Sequence, residues 1–429
     1  MTSFFTRVFP TCLFLFLFLR PAGCLAGPPV RLTIEEVYLQ AREHYPLSRQ
    51  RQLVRQSMEY SVENASRGFL PQLNIAGQAT LQSDVTNFPF KIPIAGFSLP
   101  AYSKDQYKAY GEVDQLIYDG GLIRNQKQSA VVNELIQEKN LDVELYALYD
   151  RVNQLFFGVL LIEEQLKQNE LLQADIQNGV DKTRALVEQG TAVRSSVDEL
   201  EAQLLQAVQT RVQELSARRA YLAMLGLFLD RPLDETTVLM SPPEPLSTDL
   251  LDRPELLLYE YQKKNYDLQD ALAKAQLRPR FSLFFQGGYG RPGLNMLSND
   301  FALYYIGGLR LNWNLGGLYT LKNQKRISEL GRRTQDVDKE TFIFNTGISQ
   351  RQFREDIVQF EELGRTDDRI IGLRNSVKNA AAAQLANGVL SAHDYLTQVD
   401  AEDQARENRI LHRVQLLQAE YNYKNLMGH

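Results

Sequence analysis

The most regular feature of the chain is a run of apolar residues with heptad spacing. Steps of four and three residues alternate through Leu141, Leu145, Leu148, Val152, Leu155, Val159, Ile162 and Leu166. This repeat keeps one stripe of a helix against its neighbours in a left-handed supercoil. No proline occurs between Ala101 and Arg231, so the pattern predicts one helix from Gly121 to Gln189. At about 1.5 Å per residue, that helix would be on the order of 100 Å long.

A second helix is predicted before the long one, from Leu32 to Phe69. Thr33 occupies its N-cap position and Glu36 follows with the spacing of a capping box, in which both side chains satisfy free backbone N–H groups. Leu70-Pro71 ends the helix, since proline cannot continue it.

Between these helices the pattern changes to strict alternation, which predicts strands. The first strand places Leu73, Ile75, Ala79 and Leu81 on one face and polar residues on the other. A loop follows from Asp84 to about Lys108, and a weaker strand runs from Ala109 to Tyr118 with Glu112 and Asp114 on one face.

The same order of elements then recurs, and such a repeat is a strong indication of architecture. A helix is predicted from Arg253 to Leu277, followed by strands from Phe281 to Tyr289 and from Leu303 to Leu315. In the last strand Arg310, Asn312 and Asn314 share the polar face.

Paired glycines and tip glycines also occur twice. Gly316-Gly317 matches Gly120-Gly121 before a long helix, and Gly388 matches Gly190 before a return helix. Both tip glycines are expected to adopt unusual backbone angles. The predicted organisation is a first repeat at 27–230, a connector at 231–252 and a second repeat at 253–429.

Two architectures are open at this point. Four strands do not close a barrel wide enough for a channel, so a barrel would need several copies of the chain. Apolar-out alternation with aromatic residues near the strand ends is typical of transmembrane barrels. The alternative is a secreted coiled-coil scaffold with a small half-buried sheet. The long repeat, and an apolar strand face with no spare helix to cover it, favour the barrel.

The N-terminus predicts export. Residues 1–26 contain an apolar run from Phe4 to Leu19 and indicate a signal peptide, with cleavage before Gly27 or, alternatively, lipidation at Cys24. Cleavage removes Arg7 and Arg20 and no acid, so the net charge of −5 becomes −7. The lack of a basic excess argues against nucleic acid as a partner. Beyond the leader no apolar run approaches the ~20 residues of a membrane helix, so a membrane crossing would require a closed β-barrel.

Six motifs, three in each repeat, resemble those of the TolC-type outer-membrane efflux channels over essentially the whole mature chain. They are FLPQLNIAGQ (69–78), VDQLIYDGGLIRNQ (113–126), EQGTAVRSSVDELEAQ (188–203), LRPRFSLFFQGG (277–288), LRLNWNLGGLYTLKNQ (309–324) and ANGVLSAHDYLTQVDAED (386–403). The resemblance implies an α+β membrane protein that forms a homotrimer, with a 12-stranded β-barrel in outer-membrane lipid and a 12-helix α-barrel in the periplasm. It further implies a passive duct that meets a periplasmic adaptor (membrane fusion) protein and an inner-membrane RND or ABC pump, in efflux or type I secretion.

The resemblance also implies sites. Asp394 matches an acidic ring at the periplasmic gate, and Thr397 stands where a second acid often occurs. In the first tip the corresponding positions are Ser196 and Glu199. Leu385 and Leu390 replace polar closing contacts. The implied adaptor contacts are Gln189, Gly190, Thr191, Ala192, Asn387, Gly388, Val389 and Leu390, and the implied lumen residues are Arg310, Asn312 and Asn314.

Simpler roles remain for two of these tip residues. Asp394 could serve as the N-cap of the return helix, and the neighbouring His393 could be a solvated histidine. No catalytic constellation was found. Residues 288–293 fit GxGxxG, but Pro292 and the polar loop beyond it indicate a turn and not a phosphate-binding helix start. The histidines are scattered, so no metal, no cofactor and no enzymatic activity are predicted.

Overall fold

The computed structural model describes residues 31–85, 103–245, 248–295 and 298–429. The predicted signal peptide and Cys24 lie outside the described residues, as does most of the predicted loop from Asp84 to Lys108.

The predicted N-terminal helix is divided in two. After the short strand β1 (Arg31–Leu32), α1 spans Ile34–His44 and α2 spans Gln50–Arg67, separated by a 3-10 turn at Pro46–Arg49. Prediction of one helix was therefore wrong, because Pro46 has no N–H to donate and disfavours helical backbone at Tyr45. The predicted capping box is confirmed: Glu36 N–H donates to Thr33 Oγ1 at 3.3 Å, and Thr33 N–H donates to Glu36 Oε2 at 2.9 Å.

The long helix of the first repeat is interrupted once. α3 spans Leu122–Tyr146, α4 spans Leu148–Glu188, and Ala147 stands between them. The return helix α5 spans Arg194–Phe228. Six of the eight residues of the heptad seam are buried, with Val152 and Val159 fully inaccessible to solvent, while Leu155 and Leu166 are partly buried.

The second repeat is more regular. After β4 (Val238–Leu239), which pairs in parallel with β1, α6 spans Pro254–Gln276. α7 runs without interruption over Leu318–Ala386, 69 residues, and α8 spans Ala392–Met427.

Within the described residues, one antiparallel sheet has the strand order β2-β3-β5-β6. Its strands are β2 (Gln72–Leu81), β3 (Asp105–Tyr118), β5 (Arg280–Arg291) and β6 (Ala302–Asn312). The four predicted strands are confirmed, although β6 ends earlier than predicted. The two repeats meet at the β3–β5 ladder, which joins them into one sheet.

The helices form two stacked layers. Next to the sheet the neighbours are α2, α3, α6 and α7; farther away they are α5, α4, α8 and α7. Between the layers, an apolar core joins α1, α4, α5, β4 and α8. Among the described residues, no helix combines the length and apolarity needed to cross a membrane.

Candidate functional site

The register of the sheet separates apolar from polar side chains. Leu73 pairs with Val113, Val113 with Phe285, and Leu283 with Leu309, so the predicted apolar positions of all four strands share one face. Residues of this face are solvent-exposed in the single chain: Ile75 is 85% exposed and Leu303 84%. A large exposed apolar surface of this kind marks an interaction with lipid or with another chain.

The opposite face carries a charged network centred on Arg310. Its Nη1 donates to Glu112 Oε1 at 2.8 Å and to Asp114 Oδ2 at 3.0 Å, and Ser282 Oγ donates to the same Asp114 oxygen at 3.2 Å. The guanidinium also lies 4.4 Å from the ring centre of Phe284. Three strands are thus joined across the polar face, which is where the sequence placed Arg310.

Of the two asparagines predicted beside Arg310, one lies in the strand and the other lies beyond it. Asn312 is the last residue of β6 and pairs with Arg280. Asn314 lies beyond the strand, and its Oδ1 accepts a hydrogen bond from Gly316 N–H at 3.0 Å. Its placement in the strand was therefore wrong: the side chain organises the turn before α7. The lumen role of these residues stays a prediction.

The two hairpin tips have the same backbone construction. Gly190 has φ 76° and Gly388 has φ 69°, which confirms the prediction of unusual angles. Thr191 N–H donates to Leu186 O and Val389 N–H to Gln384 O, each at 2.9 Å, while each glycine N–H donates to a carbonyl three residues back. This is the Schellman motif, which needs left-handed backbone at its glycine.

The helix starts beyond the two tips differ. α8 is capped by Ser391, whose Oγ accepts from Asp394 N–H at 3.1 Å and donates to Asp394 Oδ2 at 2.7 Å. Asp394 is therefore not the N-cap; it lies one turn into α8, and its charge favours the positive end of the helix. The N-cap residue of α5 is Val193, which makes no side-chain capping bond, and Ser196 N–H donates to the Val193 carbonyl at 3.1 Å.

The remaining gate positions make local contacts. Thr397 Oγ1 donates to the His393 carbonyl at 3.0 Å within α8. Glu199 Oε1 lies 2.9 Å from His393 Nδ1, so this pair joins the two hairpins of one chain. Sequence reasoning treated His393 as solvated; the histidine is exposed, but it has a partner.

Beneath the tips the hairpins share an apolar core. Leu385 is buried and Leu390 packs against the same cluster; the absence of polar latches at these positions stays a prediction from the resemblance. The ring of Tyr395 fills the space beside Gly179, and its hydroxyl donates to the Asp175 carbonyl at 3.1 Å. Burial raises the pKa of Tyr395 to about 12, so the hydroxyl stays protonated and can donate.

One turn above this core lies an ionic cluster that sequence reasoning missed. Lys378 Nζ on α7 lies 2.5 Å from Asp175 on α4 and 3.4 Å from Glu402 on α8; Glu402 also pairs with Arg406. Lys378 is 8% exposed and Glu402 2%. In the described part of the chain, no group of histidine, cysteine and acidic residues is arranged to hold a metal ion.

Comparison with known proteins adds the following. No family model and no curated protein matches the sequence. Solved structures do match: the outer membrane protein VceC of Vibrio cholerae is 12% identical, with TM-score 0.65 over 92% of this chain and 96% of that one. The MtrE outer membrane channel of Neisseria gonorrhoeae, in its open state, is 16% identical, with TM-score 0.64 over 94% and 89%. The CmeC outer membrane channel of Campylobacter jejuni is 11% identical, with TM-score 0.61 over 92% and 86%.

The chain therefore has the fold of the TolC-family outer-membrane channels along most of its length, as the sequence motifs predicted. Proteins of this fold are transport proteins and not enzymes, in agreement with the sequence-based prediction. At these identities the likeness establishes the fold, and the activity of this chain is a separate question.

Proposed function

We propose that this protein is the outer-membrane channel subunit of a tripartite efflux or type I secretion system. The observation that carries the proposal is the two-faced sheet: apolar residues cover one face, and Arg310, Glu112 and Asp114 lie on the other. A sheet closed with its apolar face toward lipid would enclose a polar passage.

Closure requires further copies of the chain. β2 and β6 are the outer strands of the sheet, and within the described residues no other strand pairs with them. Such free edges favour pairing with another chain. Three copies of a four-stranded sheet would give the 12 strands of the proposed barrel.

The helices support the same assembly. The outer helix α5 carries an exposed apolar heptad, Leu205, Val208, Val212 and Leu215. At the other margin of the same layer, α7 exposes Ile370, Leu373 and Val377 at intervals of three and four residues. In a ring these seams would bury each other as in a coiled coil, and four helices per layer from three chains would give the 12-helix α-barrel.

In this proposal the channel is a homotrimer held in outer-membrane lipid, and the Schellman tips are the periplasmic end. The tips would contact the adaptor protein, which links the channel to an inner-membrane RND or ABC pump. Asp394 and Glu199 would line the gate, and opening would follow partner-induced untwisting of the hairpins. No cofactor is involved.

Cysteine cross-linking tests the ring. Asn74→Cys on β2 is combined with Tyr304→Cys, Ile306→Cys or Gly308→Cys on β6; all four positions lie on the polar face. Within one chain two strands separate these positions, at about 4.8 Å per strand spacing, so an intrachain disulfide cannot form. We expect at least one pair to give dimers and trimers but no larger species.

The parent chain is the control, because its cysteines, Cys12 and Cys24, lie in the predicted leader. Asn74→Cys with Tyr305→Cys, which lies on the opposite face, should not react. Monomers in every pair, in protein that is monodisperse without detergent, would instead support the secreted coiled-coil scaffold.

A further inference from the structure

A cavity of about 230 Å³ opens between α4 and α8, with α7 and the connector at its sides. Its floor is apolar: Phe157, Leu160, Ile371 and Val414 are all buried. Phe157, Leu160 and Val414 belong to the core that joins the two helical layers. The cavity is thus a preformed apolar space inside one chain, and it exists without the proposed trimer.

The rim of this cavity is basic in an acidic protein. Lys167, Arg406, Arg409 and Arg413 line it, against one acid, Glu164. On α8 the three arginines follow one another at intervals of three and four residues, which places them along one side of the helix. Cations concentrated here, in a chain of net charge −5, would attract an anion.

Much of this positive charge is available to a ligand. Within the described residues Arg413 has no hydrogen-bonding or ionic partner and is exposed. Arg409 pairs with Asp368 at 3.0 Å and Lys167 with Glu164 at 2.6 Å, but the side chains of both pairs are largely exposed. Such surface pairs contribute little and exchange readily for another anion.

The two ends of the cavity differ in polarity. Gln165 contacts Glu407 and Phe157 contacts Tyr421, so α4 and α8 run antiparallel. Arg406 therefore lies toward the tips, whereas Leu417 and Ser241 lie toward the connector. An elongated ligand would place its charged group among the arginines and its apolar end beside Phe157.

We propose that this cavity binds a medium-chain carboxylate, an amphipathic anion with a short acyl tail. Guanidinium groups hold a carboxylate through two parallel hydrogen bonds, which matches the arginine-lined end. The apolar floor accommodates the acyl chain, and the volume lies below the 300–1,000 Å³ typical of drug-sized ligands, which limits the tail length.

The test uses full-length protein in phosphatidylcholine nanodiscs and an octanoate that carries a terminal trifluoromethyl group, observed by ¹⁹F NMR. Empty nanodiscs provide the blank, and the alcohol of equal length tests the need for charge. We expect saturable binding of the carboxylate above the blank and at least about tenfold weaker binding of the alcohol, the scale of one charge-assisted hydrogen bond.

Three variants locate the site. Arg413→Gln should weaken binding about tenfold, and Ser241→Trp should obstruct the apolar end; both residues are exposed, so folding is preserved. Arg326→Gln, which removes an exposed arginine from the part of α7 next to the sheet, far along the helix from Ile371, is the matched control and should bind like the parent. Equal binding by all variants, or binding no greater than that of empty nanodiscs, would overturn the proposal.

Discussion

The ring of Tyr395 on α8 packs against the backbone of Gly179 on α4, so closely that a Cβ on Gly179 would lie 2.7 Å from Tyr395 Cε1. This contact fixes the separation of the two hairpins just beneath their tips. Because Tyr395 is buried and its hydroxyl is anchored to Asp175, the ring has little freedom to move aside.

Gly179→Ala should therefore destabilise the protein by about 1–3 kcal/mol, the usual effect of overpacking a filled core. Gly158→Ala on the same helix is the matched control, since its Cβ would meet Tyr221 at an ordinary 3.5 Å. That control should be neutral or stabilising, because glycine is unfavourable inside helices. Thermal unfolding compares the stability of the two variants. Equal unfolding midpoints would show that the Tyr395 ring can move aside for the added methyl group.

Lys378→Met should cost about 3–5 kcal/mol, because it leaves Glu402 buried and short of one cation. Adding Glu402→Gln should recover part of this loss, since the unpaired charge is then removed. Lys182→Met, at an exposed position of α4, serves as the control. The free energies of unfolding of the single and double variants form a thermodynamic cycle, and simple additivity would contradict the coupling.

The helical layer that contains α4, α5 and α8 should become more stable as the pH falls. Burial, with Glu407 and Asp403 of α8 nearby, raises the pKa of Glu214 to about 7 from an ordinary 4.5, against a smaller opposing effect of Arg211. Gln165 and Gln168 of α4 bond Glu407 and Asp403 and add no charge. Since the folded state binds the proton more tightly, this stabilisation is complete below about pH 4.5 and is lost as the pH rises through 7.

Glu214→Gln should accordingly raise the thermal midpoint at pH 8 and leave it nearly unchanged at pH 5. The variant should also show a shallower dependence of the midpoint on pH between these values. Glu188→Gln, on the exposed end of α4, provides the control. An equal shift at both pH values would mean that Glu214 acts through packing and not through its charge.

The two tips allow a prediction about capping. Ser391→Ala removes the cap of α8 and should cost about 0.5–2 kcal/mol. Val193 already has the extended backbone of an N-cap, φ −94° and ψ 148°, but offers no side-chain acceptor. Val193→Ser should therefore stabilise the first tip by a similar amount. Amide hydrogen exchange in the first turns of α5 and α8 measures both effects; unchanged protection in either variant would contradict this reasoning.

Periodic features of the fold could be predicted from the sequence. The heptad through Val152 and Val159 is buried, and alternation placed Leu73 and Leu309 on the same face of one sheet. Local chemistry also sufficed for Thr33 and for the tip glycines, because these residues act on their own backbone.

The errors and omissions have physical causes. Pro46 was present in the sequence and should have divided the first helix. Nothing in the local pattern distinguishes Ala147, where α3 gives way to α4. The cluster around Lys378 depends on packing between residues some 200 positions apart, as does the contact of His393 with Glu199. Asp394 was considered from the sequence as the N-cap of the return helix, whereas the structure places Ser391 in that position.

Planar-bilayer recording tests the central claim most directly. Protein purified in detergent should insert and give stable unitary conductance, and Asp394→Ala should change its cation selectivity if Asp394 lines the gate; Asp198→Ala is the matched control in the other hairpin. If Asp394→Ala has no effect on the conductance, the channel is supported, but Asp394 acts only in capping α8 and not in the gate. Absence of conductance, from protein that is monodisperse in plain buffer, would contradict the proposed channel.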